Sequence, residues 1–291
     1  MRFQHLSRIA AAAAILAATA ACGGGSGGGP AVAEKPTFPA GTTMARLAEA
    51  GTIKVGTKFD QPLFGLKGLD GKPAGFDVEI AKIIAAKLGI PADKIEFTEA
   101  PSKVREDVIQ QKAVDMVVAT YTINADRRQK ITFAGPYYVA GQDLMVKSDN
   151  TTITGPESLK PTNARVCSVT GSTPAKTIAT MIDPANLTLF DVYSKCADAL
   201  RTGQVDVVTT DNVILSGLVE NGSGAFKLVN KKFTVEPYGI GITKGDVAFC
   251  DFINQTLKGA EADGSYAAAW KASLSKVSPD VPALPPADPC S

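Results

Sequence analysis

The chain has 291 residues, with 30 basic and 29 acidic side chains and one histidine. Without a basic excess or a charge block it is poorly suited to nucleic acid, and no nucleic-acid partner is expected. The histidine is His5, so the chain beyond it lacks the commonest general base and the commonest transition-metal ligand.

Arg2 and Arg8 precede an apolar stretch at 9–21. That stretch is too short for a spanning helix of about 20 apolar residues. Residues 1–21 are read as a secretory signal peptide. Cys22 follows small residues, which resembles the lipobox of bacterial lipoproteins, although Thr19 stands where leucine is usual. Cys22 is therefore the expected lipidation site and membrane anchor. "GGGSGGGP" and a proline-rich run come next, so 22–43 is expected to form a flexible linker. For residues 23–41 the root-mean-square reach is about 25 Å. Removal of 1–21 leaves 28 basic and 29 acidic residues, a net charge of −1. Cys167, Cys196, Cys250 and Cys290 remain, an even number in an exported chain. Disulfides are expected, with three pairings open.

"TIKVGTKF" (52–59) reads as a strand running into a loop. "GFDVEIAKIIAAKLG" (75–89) has Val78, Ala81, Ile84, Ala85 and Leu88 at the spacing of one helical face, with Asp77 and Gly89 as candidate caps. "KIEFTEA" is a strand, "SKVREDVIQQ" a helix and "VDMVVAT" (114–120) a strand. Near residue 140 the rhythm restarts. "RVCSVTGSTPAKTIATMI" gives strand, loop and helix, then "LTLFD" a strand, "SKCADALRTG" a helix, "VDVVTTD" (205–211) a strand and "NVILSGLVEN" a helix. Helical segments close the chain at about 246–260 and 264–274. The alternation predicts α/β architecture in two units, each a mostly parallel sheet flanked by helices.

"VDMVVAT" and "VDVVTTD" superpose with a constant offset of 91 residues. Any two buried parallel strands look somewhat alike, but both of these end in polar residues. α/β sheets bind ligands at the carboxyl ends of their strands. Two such ends facing each other would form a cleft with a pocket between them.

An amino-acid ligand needs a fork donor for its α-carboxylate and an acid for its α-ammonium. Arg127 can supply the fork, since guanidinium pairs bidentately with carboxylate; it can equally be a solvated arginine at a helix start. In "GSTPAK" (171–176), Gly171 allows close approach, Thr173 suits a helix cap and Pro174 the first helical position. The free N–H groups of this turn would welcome a carboxylate or simply be capped. Asp211 can cap the helix after it or face an ammonium group. Lys58 follows a strand, where a lysine is ordinarily a surface residue. Phe59, Phe64 or Tyr121 could form an apolar wall. There is no Walker loop, no GxGxxG turn, no Cys/His metal spacing and no GxSxG elbow.

Together these residues resemble family 3 of the bacterial extracellular solute-binding proteins, the polar amino-acid binders of ABC importers. The likeness runs over most of 44–275, through "GFDVEIA", "VDMVVATYTINADRRQKITFAGPYY", "VCSVTGSTPAK", "VDVVTTDNVIL" and "YGIGITKGD". "VGTKFDQP", "CSVTGSTPA" and "TTDNVIL" are most similar to actinobacterial glutamate-binding lipoproteins.

The resemblance implies a two-lobed periplasmic-binding-protein type II fold with the ligand in the cleft. Lobe 1 would comprise 44–140 plus 239–282, lobe 2 141–238, and 283–291 a C-terminal tail, with crossings near 139–146 and 231–239. Hinge closure would enclose the ligand. The resemblance also implies the ligand set. Arg127 binds the α-carboxylate, with Thr122 through its hydroxyl and Thr120 through its backbone. Asp211 binds the α-ammonium, and Ser172 and Thr173 offer donors from the other lobe. Lys58 falls where glutamate or aspartate binders carry a basic residue for the side-chain carboxylate. Glutamine binders carry an acid there and a lysine near Val169, so both departures favour glutamate. A bridge within the second lobe fits Cys167–Cys196, leaving Cys250–Cys290 for the tail. The expectation is a lipid-anchored monomer that binds L-glutamate, with aspartate a further candidate, and serves an ABC permease without cofactor or metal. The alternatives are a cyclohexadienyl-dehydratase-like enzyme using Lys58 or Glu99, and a sensor presenting ligand to a receptor.

Overall fold

The computed structural model describes residues 29–291. The expected signal peptide and Cys22 lie outside these residues. In chain order the elements are α1 (Thr43–Ala50), β1 (Ile53–Thr57), β2 (Asp60–Gln61), β3 (Gly65–Lys67), β4 (Pro73–Ala74), α2 (Phe76–Lys87), β5 (Ile95–Glu99), α3 (Arg105–Gln110) and β6 (Met116–Val117). Then come α4 (Ala125–Arg128), β7 (Thr132–Ala140), β8 (Gln142–Lys147), β9 (Val166–Val169), α5 (Thr173–Ile178), β10 (Leu187–Phe190), α6 (Tyr193–Thr202) and β11 (Val207–Asp211). The chain ends with α7 (Asn212–Asn221), β12 (Phe226–Leu228), β13 (Glu236–Ile242), α8 (Val247–Asp263) and α9 (Ser265–Leu274).

The strands form two five-stranded sheets, ordered β5-β1-β6-β13-β7 and β10-β9-β11-β8-β12, and a small sheet of β2, β3 and β4. In the first, β5, β1 and β6 are parallel. In the second, β10, β9 and β11 are parallel. These are the strands that the β-α alternation predicts. The remaining strands are antiparallel additions that make both sheets mixed. The chain leaves the first sheet at the end of β7, enters the second at β8 after one residue, and returns in β13.

Each sheet is covered on both faces, which sets its side-chain alternation. Met116 and Val118 point into the core under α2, α8 and α9, whereas Val117 and Ala119 join Ile109 of α3 on the other face. In the second sheet Met145 packs with α6 and α7, and Leu144 and Val146 pack with Ile178 of α5. Helix α2 is buried around most of its circumference, including Phe76, Ile80, Ile83 and Ile84, because α8 and α9 cover what the sheet does not.

Gly89 ends α2 as expected. Its φ is +79° and the following Ile90 N donates back to Ala85 O, at 2.9 Å. Asp77, in contrast, does not cap α2. The first amides of the helix are already satisfied by backbone, Phe76 N by Leu63 O and Asp77 N by Phe64 O. The Asp77 side chain is instead buried among long-range partners, accepting from Thr120 N at 2.8 Å and Tyr137 OH at 2.5 Å.

Cys167–Cys196 joins β9 to α6, and Cys250–Cys290 ties the tail to α8. They close loops with sequence separations of 29 and 40 residues. By chain entropy each restrains the unfolded state by about 3–4 kcal/mol. The tail also packs along β7. Asp288 pairs with Arg128 at 2.6 Å, and its amide donates to Gly135 O at 2.8 Å. At the other end the expected flexible linker is docked from Ala33 onward. Ala33 N donates to Ala86 O, and Phe38 meets Phe252 edge-on at 5.5 Å.

Candidate functional site

The parallel strands of the two sheets point their carboxyl ends at one another. From the first lobe Ser102, Arg105, Thr120 and Thr122 line a narrow cavity of about 10 Å³, room for about one water. From the second come Ser172, Thr173, Tyr193, Thr210 and Asp211. Ligand pockets ordinarily span about 300–1,000 Å³, so an amino acid would enter here only as the two lobes part. Five residues singled out in the sequence are thus brought together: Thr120, Thr122, Ser172, Thr173 and Asp211.

Thr120 sits at φ +44°, an unusual conformation for a β-branched residue. Such strain costs of order 1–3 kcal/mol. Asp77 holds it by accepting from the Thr120 amide. The cap of α5 is Ser172, whose hydroxyl accepts from Ala175 N at 3.0 Å, and not Thr173 as the sequence suggested. Thr173 is left to bridge the lobes. Its hydroxyl donates to Glu236 Oε2 at 2.7 Å and lies 3.3 Å from Thr122 Oγ1.

The cations are arranged differently from the sequence reading. Arg127 does not line the cavity. Its Nε donates to Glu106 at 3.1 Å, its Nη1 to Thr122 O at 2.6 Å and its Nη2 across the cleft to Gly171 O at 3.1 Å. It lines a neighbouring groove with Lys103, Gly171 and Lys176. Lys58 is buried, not exposed, and donates to Ser102 Oγ at 2.8 Å, one side chain behind the cavity wall. Burial and the neighbouring Arg105 pull its pKa down to about 7.

Arg105, read only as a helix residue, is the guanidinium on the wall. It is buried, stacks on Tyr121 at 4.1 Å and donates through Nη1 to Ala119 O at 2.9 Å. Its Nη2 has no hydrogen-bond partner among the described residues. The signal for it was present. It follows a parallel strand at a strand-to-helix turn, the same position that marked "GSTPAK".

Asp211 begins α7 without capping it. Oδ2 accepts from Tyr238 OH at 2.6 Å, and Oδ1 is buried with no partner among the described residues. Thr210 Oγ1 and Tyr193 OH beside it likewise make no well-formed hydrogen bond. Buried polar atoms are ordinarily paired, and an unpaired one costs about 1–3 kcal/mol. Burial, with Glu236 adding repulsion, pushes the Asp211 carboxyl up to about 7. A cationic group at Oδ1 would relieve both penalties.

The cavity therefore sets an unpaired acid on one wall and a guanidinium on the other. The family model of the bacterial extracellular solute-binding proteins, family 3, matches residues 53–272. The chain belongs to this family. Its architecture is the two-lobed type II periplasmic-binding-protein fold. The glutamate-binding protein GluB of Corynebacterium efficiens is 39% identical over 235 residues, covering 78% of this chain and 80% of that one. The ABC transporter glutamine-binding protein GlnH of Bacillus subtilis is 37% identical over 230 residues, covering 79% and 83%. An ancestral arginine-binding protein bound to arginine superposes with a TM-score of 0.71 at 34% identity, covering 77% of this chain and 98% of that one. All three are named as binding proteins for amino acids.

Proposed function

We propose that this family 3 protein captures L-glutamate outside the cytoplasm and hands it to an ABC importer, held at the membrane by a lipid on Cys22. The observation that carries the ligand assignment is that the unpartnered Asp211 Oδ1 and the buried Arg105 line one small cavity, with buried Lys58 behind Ser102 of its wall. Asp211 takes the α-ammonium. Thr122, Ser172 and Thr173 surround the α-carboxylate, with Thr120 beside them. Arg127 completes that set by exchanging its Gly171 contact for a ligand oxygen. The side-chain carboxylate goes to Arg105, backed by Lys58 through Ser102. A glutamine amide offers these cations no charge, so their desolvation would be left uncompensated. Aspartate, one methylene shorter, is the closest competitor. The relatives include both a glutamate-binding and a glutamine-binding protein, and the cations favour the first.

The dehydratase-like reading takes Glu99 or Lys58 as its acid or base. Glu99, one candidate, is exposed at the end of β5 and outside the lining. Lys58, the other, is hydrogen-bonded to Ser102 behind the wall.

Calorimetry of the soluble domain against the twenty amino acids should give strong binding for L-glutamate, with glutamine at least tenfold weaker, and bound ligand recovered unchanged after denaturation. Preference for glutamine or a neutral amino acid would overturn the assignment. Mass spectrometry of the membrane-extracted protein should find a diacylated Cys22 at the N-terminus. A product that starts elsewhere and carries no lipid would remove the anchor.

A further inference from the structure

Helix α6 starts without a cap of its own. Its N-cap residue, Val192, has no side-chain acceptor. The first amides of a helix have no partner within the helix and need one from outside. Here Tyr193 N and Ser194 N donate to Oδ2 of Asp60, at 2.7 and 3.3 Å. Asp60 lies in β2 of the first lobe, 133 residues before Tyr193. The contact exists only while the lobes are together. Two residues further on, Pro62 presents its carbonyl to Gly217 of α7, where a Cβ would clash with it. The segment 60–62 thus docks on two helices of the second lobe. Tyr193 is both the first residue of α6 and part of the cavity wall.

We propose that Asp60 is a positioning residue, a helix cap supplied across the cleft. On closure it caps α6 and so fixes Tyr193 against the bound amino acid. On opening, the carboxylate and both amides return to water, so the cap favours the closed state. This inference rests on the cleft being the amino-acid site. A competing role is counter-ion to Lys58, whose protonated form Asp60 favours.

Asparagine caps helices as well as aspartate does, without the charge, whereas alanine does not cap. For a cap, Asp60→Ala should raise the dissociation rate of L-glutamate about tenfold with little change in association, since interface changes act mainly on dissociation. Asp60→Asn should stay within about twofold of wild type. Gly217→Ala, which obstructs the same docking face, should also speed dissociation. A ligand-free arm uses amide hydrogen exchange at Tyr193 and Ser194. Exchange should be faster in Asp60→Ala and unchanged in Asp60→Asn. If wild type does not bind L-glutamate, the ligand assignment fails while the exchange arm still decides the cap. Equal exchange at both amides in wild type and Asp60→Ala, or Asn behaving like Ala in either arm, overturns the proposal.

Discussion

Asp211→Asn is expected to weaken L-glutamate binding by about 3–5 kcal/mol, more than a hundredfold, because the ligand ammonium is then buried without its counter-charge. The fold should survive, since asparagine keeps the shape and can still accept from Tyr238 OH. The variant should also be the more stable protein without ligand. Asp211 has its folded pKa raised to about 7 from 3.8. Its contribution to stability is therefore present below 3.8 and lost as pH rises through 7. At neutral pH the native carboxylate is a burden that asparagine removes, and the melting temperature should rise by about 2–4 °C per kcal/mol relieved. The same carboxyl gives wild-type binding an acidic limb. Below about pH 7 a proton must leave Asp211 before the ammonium can pair. That limb should shrink in Asp211→Asn, with Asp77, also raised to about 7 by burial, accounting for the remainder. Near-normal affinity in calorimetry would make Asp211 a structural residue only.

The second large effect concerns the distal end of the ligand. Glutamate and glutamine are nearly the same shape, so a site that separates them must read charge. Arg105→Met removes the guanidinium on the cavity wall. It should lower glutamate affinity about a hundredfold, in line with the 2–5 kcal/mol lost when a buried charge pair is broken. Weak glutamine binding should change little, so the preference collapses. Lys58→Met acts through Ser102 and should reduce the preference by about tenfold. Lys58 also sets an alkaline limb. Its folded pKa is lowered to about 7 from 10.5, so its stability contribution is present above 10.5 and lost as pH falls through 7. Above about pH 7 an anionic ligand must recruit a proton to Lys58, so affinity should fall, and Lys58→Met should lack that fall. Unaltered glutamate preference in both variants, measured by competition calorimetry, would move specificity to Ser172, Thr173 and backbone donors.

The parallel strands were legible because each is followed by a helix, and the cavity residues because they sit at strand ends. That rule marks the ends of "VDMVVAT", "GSTPAK" and "VDVVTTD", whereas the ligand set of Thr120, Thr122, Ser172, Thr173 and Asp211 is what the family resemblance implies. β7, β8 and β13 escaped it, since they pair antiparallel beside the lobe crossings and β7 runs into β8 with no helix between. Asp77 was misread for a different reason. A cap is decided locally, but its partners Thr120 and Tyr137 lie 43 and 60 residues away. Lys58 and Arg105 show the same limit. Burial of a cation is a property of the assembled cleft, so only the family resemblance pointed to Lys58, and Arg105 read as an ordinary helix residue. The guanidinium of Arg127, in turn, is drawn to Glu106 and Gly171, contacts that exist only once α3 and the second lobe are in place.

The most direct measurement is a crystal structure of the protein grown with L-glutamate. The ammonium nitrogen is expected within hydrogen-bond distance of Asp211 Oδ1, and the side-chain carboxylate on Arg105 Nη2 with Lys58 and Ser102 behind it. A ligand bound in the reverse orientation, with its side chain toward Asp211, or one that leaves Asp211 Oδ1 without a partner, would contradict the assignment.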